Sequence, residues 1–225
     1  GRALDIALDL SELSSPGCIW TVEGAVVIRE GIYTQTSAKR FFGALHPRAE
    51  FPATWPPVVT LSLTRVVRWA KAVGMLSAPL AESRLQRVLA AYTNLVGLET
   101  RGDNEPLFRA MQALEAFYCD GVGDLRRQIA EKTRVWLGQH EGTTNIVGQL
   151  YDVRSKFVHG SAKLEYRHST ANPWEHDEKT MFQLSSGASF ATRLLVASLQ
   201  RCVVEQVIDL SWPFGVTPIR NASDA

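Results

Sequence analysis

The sequence predicts a mainly α fold, a helical bundle preceded by a small strand-containing N-terminal portion. Three observations carry this. From about residue 60 onward, apolar residues recur at helical spacing in one segment after another. Breaks rich in glycine, aspartate and proline separate those segments, as helix starts and stops do. The last long segment, about residues 188–210, is apolar almost all round, as a helix buried on every side would be. Before residue 60 the texture differs, with turns and short β-prone runs. The chain therefore divides into residues 1–60, a β-prone segment and linker, and residues 61–225, a helical domain with four or five core helices between residues 80 and 210.

In order along the chain, Cys18–Val22 and Ala25–Ile28, separated by Glu23-Gly24, predict a hairpin, and Ile32–Thr34 a third short strand. Pro47, Pro52, Pro56 and Pro57 break the backbone repeatedly, so residues 44–57 read as a linker or irregular loop. A helix over residues 62–74 closes at Gly74. Residues 80–99 carry Leu85, Val88, Leu89, Tyr92, Leu95 and Val96 at helical spacing. Asp103 or Asn104 is placed to cap the next helix, with Pro106 in its first turn and Gly121 and Gly123 beyond its end. Asp124 can cap the following one, which presents Leu125, Ile129 and Trp136 to the core. Gly142-Thr-Thr144 opens a helix running to His159, with Gly160 as its stop. Residues 161–186 read as a polar loop, in which Leu164–Tyr166 and Thr180–Leu184 can pair as a short hairpin. Ser185 or Ser186 would then cap the final helix, and the tail after Trp212-Pro213 reads as irregular.

With 45% hydrophobic and 21% charged residues the chain can bury a real core, and a net charge of +1 excludes bulk attraction to nucleic acid. RNA binding would have to rest on a local basic cluster. The three cysteines, Cys18, Cys119 and Cys202, have no metal or redox spacing and point to a reduced, cytoplasmic setting. No apolar run is long enough for a membrane span, and no signal-peptide pattern opens the chain. The first residue is Gly rather than Met, so the chain reads as a piece of something longer. Phosphate-binding glycine loops, Ser-His-Asp strings and paired glycosidase carboxylates are not found, and no cofactor or metal is expected.

The helix ending at His159 holds the chemistry. On a helical wheel, Ile146, Leu150, Val153 and Phe157 form one apolar stripe, and Val147, Tyr151 and Val158 a second. Arg154 falls between the stripes, where a cation needs a carboxylate, a backbone acceptor or a phosphate. His159 follows five residues later, about 140° around the axis of an ideal helix. The two groups can meet only if the last turn unwinds at His159, or if a second copy of the helix supplies the missing half about a two-fold axis.

The string Leu150-Tyr-Asp-Val-Arg-Ser-Lys-Phe-Val-His-Gly160 resembles the signature of HEPN domains, the Apea-like group above all: Tyr, two residues, Arg-Ser, three residues, His-Gly near the end of a bundle helix. Ala113–Tyr118 and Asp124–Ala130 are similar to that group's preceding helices, and the resemblance covers about residues 80–210. It implies a HEPN-type bundle, a homodimer, and metal-independent cleavage of RNA. Arg154 would clamp the scissile phosphate and His159 move protons between the ribose 2′-OH and the leaving 5′-oxygen, since imidazole titrates near neutrality. A 2′,3′-cyclic phosphate and a 5′-hydroxyl are the implied products. Tyr151 and Ser155 would shape the groove, with Lys156, Arg126 and Arg127 as further contacts to RNA. Ser155 stands where many active members carry Asn, Asp or His, although serine is common in the Apea-like group. Nucleases of this kind act in toxin or antiphage defence; other members are non-catalytic modules that bind RNA, nucleotide or a partner protein.

The residues also admit plainer roles. Arg154 can pair with Glu115 or another helix carboxylate, and His159 can bond the last carbonyls of its helix. His168 and His176 near Glu175, Asp177 and Glu178 suggest a solvated loop more than a metal site. The basic side given to one helix by Arg126, Arg127, Lys132 and Arg134 can track an RNA backbone or simply face water. Trp20, Trp55 and Trp174 can stack bases or pack onto the core.

Overall fold

A computed structural model describes residues 2–16, 25–29, 32–36, 55–77, 80–96, 104–121, 123–161, 173–212 and 219–220. The fold is mainly α. In chain order the elements are α1 (Arg2–Ser14), β1 (Ala25–Arg29), β2 (Ile32–Thr36), α2 (Leu63–Ala72), α3 (Arg84–Val96), α4 (Asn104–Tyr118), α5 (Leu125–Leu137), α6 (Thr143–Val158), α7 (Pro173–Glu205), β3 (Val207–Asp209) and β4 (Ile219–Arg220). β1 pairs antiparallel with β2, and β3 with β4.

α7 is the axis of the packing. From Leu184 to Cys202 nearly every side chain on it is buried, and α4 lies against both it and α3. Beside α7 sits an aromatic cluster in which Phe117, Tyr118, Trp136 and Trp212 meet at centroid distances of 4.6–6.1 Å. Their polar tips are satisfied. The indoles of Trp136 and Trp212 donate to the carbonyls of Ser198 (3.2 Å) and Phe117 (2.6 Å). The Ser198 hydroxyl donates to the Leu194 carbonyl (2.7 Å), so its single proton is committed and Tyr118 must be the donor in the 2.6 Å Tyr118–Ser198 bond.

The segment before residue 60 opens on a helix the sequence reading did not expect. α1 buries Leu10 and Leu13 in the same core as the later helices. The Tyr92 hydroxyl donates to the carbonyl of Asp9 (3.1 Å). Gln200 on α7 donates to the carbonyls of Leu13 (2.9 Å) and Val59 (2.7 Å), and its own oxygen accepts from the Val59 amide (2.9 Å). The second and third of the three expected strands form and pair with each other. Ala25–Arg29 pairs with Ile32–Thr36, while Cys18–Val22 lies outside the described residues. Glu23-Gly24 and Glu30-Gly31 are equivalent two-residue turn signals, so local sequence alone does not choose between them.

Helix boundaries follow local chemistry. α3 starts at a capping box: the Gln86 amide donates to the Ser83 hydroxyl (3.2 Å), and the Gln86 side-chain oxygen accepts from the Ser83 amide (3.1 Å). All six apolar residues expected to face the core on α3 do so. Gly74 closes the turn after α2 at φ 87°, where a side chain would be strained. Asp124 does precede α5, but in a left-handed conformation (φ 50°) without a side-chain cap. Its carboxylate pairs instead with Arg127 at 3.0 Å.

The largest correction concerns residues 173–186, expected to be looped and hairpin-forming. They are the first turns of α7, and Ser185 and Ser186 are buried inside it rather than capping it. α7 ends at Glu205, where Gln206 turns left-handed (φ 52°), and the chain continues into β3 rather than helix to residue 210. Leu164–Tyr166 lies outside the described residues.

Candidate functional site

α6 positions the site. Its first stripe is placed as the wheel requires, with Leu150 buried and Ile146, Val153 and Phe157 half-buried; on the second, Val147 is buried and Tyr151 half-buried. The second stripe breaks at its end, since Val158 is 46% exposed. The helix ends in a Schellman motif. The amide of Ser161 donates to the Lys156 carbonyl (2.9 Å) and that of Gly160 to the Phe157 carbonyl (3.2 Å), with Gly160 left-handed at φ 69°. The His159 amide still donates to the Ser155 carbonyl at 2.9 Å, so the last turn does not unwind at His159. Arg154 and His159 therefore keep the divergence of a regular helix, about 140°.

Arg154 points into the bundle. Its side chain is 26% exposed, and Nη2 lies 3.4 Å from each oxygen of Glu115 on α4. Cζ stands 5.8 Å from the centre of the Phe108 ring. Phe108 and Glu115 are two turns apart on one stripe of α4, so both face the same groove. Tyr151, one turn before Arg154, donates its hydroxyl to Glu115 Oε1 at 2.9 Å. Burial first, then the charge and hydrogen bond of Glu115, push the Tyr151 phenol well above its ordinary range, so it stays a donor. Arg154 Nε is buried without a hydrogen-bond partner, and Nη1 has none among the described residues. The plainer pairing with Glu115 is thus present.

His159 is exposed, and among the described residues its ring makes no hydrogen bond. Ser155 and Lys156 are exposed on the same last turns. The basic side of α5 is largely engaged. Arg127 pairs with Asp124 (3.0 Å) and Glu131 (4.0 Å), and Arg126 lies against α6 at Gly148, 3.9 Å from Asp152. Lys132 turns inward to Asp120 (2.6 Å) and the Trp212 ring (5.7 Å). Trp55 is buried, stacked on His140 at 5.0 Å and tilted against Phe190, which makes it a core residue rather than a base-stacking one. His168 and Trp20, and the side chains of Trp174 and His176, lie outside what is described. Among the described residues no three His, Cys, Asp or Glu side chains gather as a metal site requires, and no helix is long and apolar enough to cross a membrane.

Fold and cluster together define a class: a helical bundle with a half-buried Arg-Glu-Tyr cluster between α4 and α6 and an exposed histidine at the end of α6. Comparison with known protein families, curated proteins and solved structures finds no match to this chain.

Proposed function

We propose that this chain is a metal-independent endoribonuclease of HEPN type, with Arg154 and His159 as its catalytic pair and its site shared between two copies in a homodimer. The observation that carries the reading is the uninterrupted last turn of α6. With the His159 amide still bonded to Ser155, the imidazole cannot fold back towards the guanidinium of its own chain. A second α6, related by a two-fold axis, is the remaining way to bring the two groups together. The exposed Val158 beside His159 gives such a pairing an apolar element.

In the assembled site His159 takes the proton from the ribose 2′-OH, the 2′-oxygen attacks the adjacent phosphorus, and the P–O5′ bond breaks as an imidazolium returns a proton to the 5′-oxygen. Arg154 stabilises the charge added to the phosphoryl oxygens. Lys156 and Arg126 contact the strand on either side, and a role in toxin or antiphage defence accords with the resemblance. The inward pairing of Arg154 with Glu115 favours a second reading, a non-catalytic dimerisation module that binds RNA, nucleotide or a partner protein.

The test is incubation of the purified chain with total RNA in EDTA, beside Arg154→Ala and His159→Ala. The nuclease reading expects products ending in 2′,3′-cyclic phosphate and a loss of at least about a hundredfold in either variant. Cleavage that survives both substitutions rejects the assigned pair, and a chain that stays monomeric on RNA by light scattering rejects the shared site. No cleavage by a dimer that binds RNA favours the second reading.

A further inference from the structure

We infer that Glu115, braced by Tyr151, is a positioning residue that holds the Arg154 guanidinium with one edge free for a phosphodiester. The inference rests on the nuclease reading for its consequence and on geometry for its substance. An arginine committed to a carboxylate as a structural ion pair is usually bidentate and short, about 2.7–2.9 Å with two parallel N–H donors. The Arg154 contact is neither: a single nitrogen, Nη2, is shared between both carboxylate oxygens at 3.4 Å. Cζ of the guanidinium stands over the Phe108 ring at 5.8 Å from its centre, and Nη1 is left without a partner among the described residues.

The carboxylate itself is fixed from the other side, because the Tyr151 hydroxyl holds Oε1 at 2.9 Å. Tyr151 and Arg154 come from successive turns of α6, whereas Glu115 comes from α4, so the arrangement is a bracket across two helices. Such a bracket removes rotational freedom from a long flexible side chain before an anion arrives. It also places a negative charge beside the phosphate site. Neutralising that charge therefore strengthens ground-state attraction for RNA while loosening the aim of the guanidinium.

The experiment combines kinetics with side-chain NMR on the full chain. Glu115→Gln keeps the size and the acceptor for Tyr151; Tyr151→Phe removes the brace alone. The expected result for Glu115→Gln is a kcat about tenfold to a hundredfold lower with KM unchanged or reduced, and a smaller loss in Tyr151→Phe. In an Arg154→Ala background Glu115→Gln adds no further loss, because it acts through Arg154. The Arg154 Nε–H signal, assigned by its absence in Arg154→Ala, shifts, and guanidinium rotation quickens in both variants. An unchanged Arg154 signal in Glu115→Gln, or an equal loss of rate in the Arg154→Ala background, overturns the inference. Should the wild type prove silent on RNA, the NMR still decides. A guanidinium set free by Glu115→Gln upholds the bracket and removes the nuclease reading alone, whereas one unaffected removes both.

Discussion

At the residue scale, the Cys119 thiol shows how burial decides reactivity. It is partly buried at the end of α4, its Sγ 3.7 Å from the Leu125 carbonyl. Burial, and then the nearby Glu115 charge, push it up to about 12. Only the thiolate is a nucleophile, so at neutral pH Cys119 should label with maleimide about a thousandfold more slowly than a free thiol. Labelling followed by mass spectrometry in native buffer and in urea checks this; fast native labelling of Cys119 would show that the packing around it opens. Arg154 teaches a related lesson. Its place between two apolar stripes was legible in the sequence and required a partner, and Glu115 was a named candidate. What the sequence could not give was the choice between that carboxylate and a phosphate, because wheel angles fix the side of a helix and say nothing of what the neighbouring helix presents there.

At the scale of elements, the junction of α3, α4 and α5 is held by a clasp around Asp120. Its carboxylate accepts from Arg84 and from Lys132, while Gln128 bonds its backbone amide (2.8 Å) and carbonyl (3.3 Å). Burial alone would raise the Asp120 carboxyl, but the hydrogen bonds and charges of Lys132 and Arg84 outweigh it and hold the group below its ordinary range. A lowered folded value means that the stabilisation is full above the unfolded value of about 4 and is lost as the pH falls through the folded one. Asp120→Asn should therefore lower Tm at pH 7, by a small amount since the side chain is 42% exposed, and flatten the fall in Tm below about pH 4. Thermal melts of both chains from pH 7 to pH 2 give the comparison, and parallel curves would deny the clasp its role.

Elements with a single dominant pattern were legible: the six buried positions of α3, the stop at Gly160 and the burial of the last helix. α1 was not, although Ile6, Leu10 and Leu13 stand at helical spacing, because nearby β-prone runs coloured the whole segment. The first half of α7 was misjudged because Ser185-Ser186-Gly187 has the composition of a cap. A serine inside a buried helix can satisfy its hydroxyl on the carbonyl one turn back, as Ser198 does on Leu194, so polarity there did not mean exposure.

At the scale of the whole molecule, Gln200 decides whether α1 belongs to the bundle. Three hydrogen bonds at one buried amide join α7 to the end of α1 and to the segment at Val59, and removal of the side chain breaks all three. Gln200→Ala should cost about 2–4 kcal/mol in urea unfolding. Hydrogen exchange should show α1 losing protection before α3 and α4. Uniform loss of protection across all helices would mean that α1 is held without Gln200, by its apolar face and its other hydrogen bonds such as that of Tyr92 to Asp9.

That docking has a consequence for how the chain is made. α1 emerges from the ribosome long before α7, so its Leu13 carbonyl must wait for an amide 187 positions further on. At about 5–20 residues per second, that wait lasts on the order of ten to forty seconds of translation. During that interval the nascent α1 is a natural client for whatever guards newborn chains near the exit tunnel, and its final seat is taken only once α7 has been made.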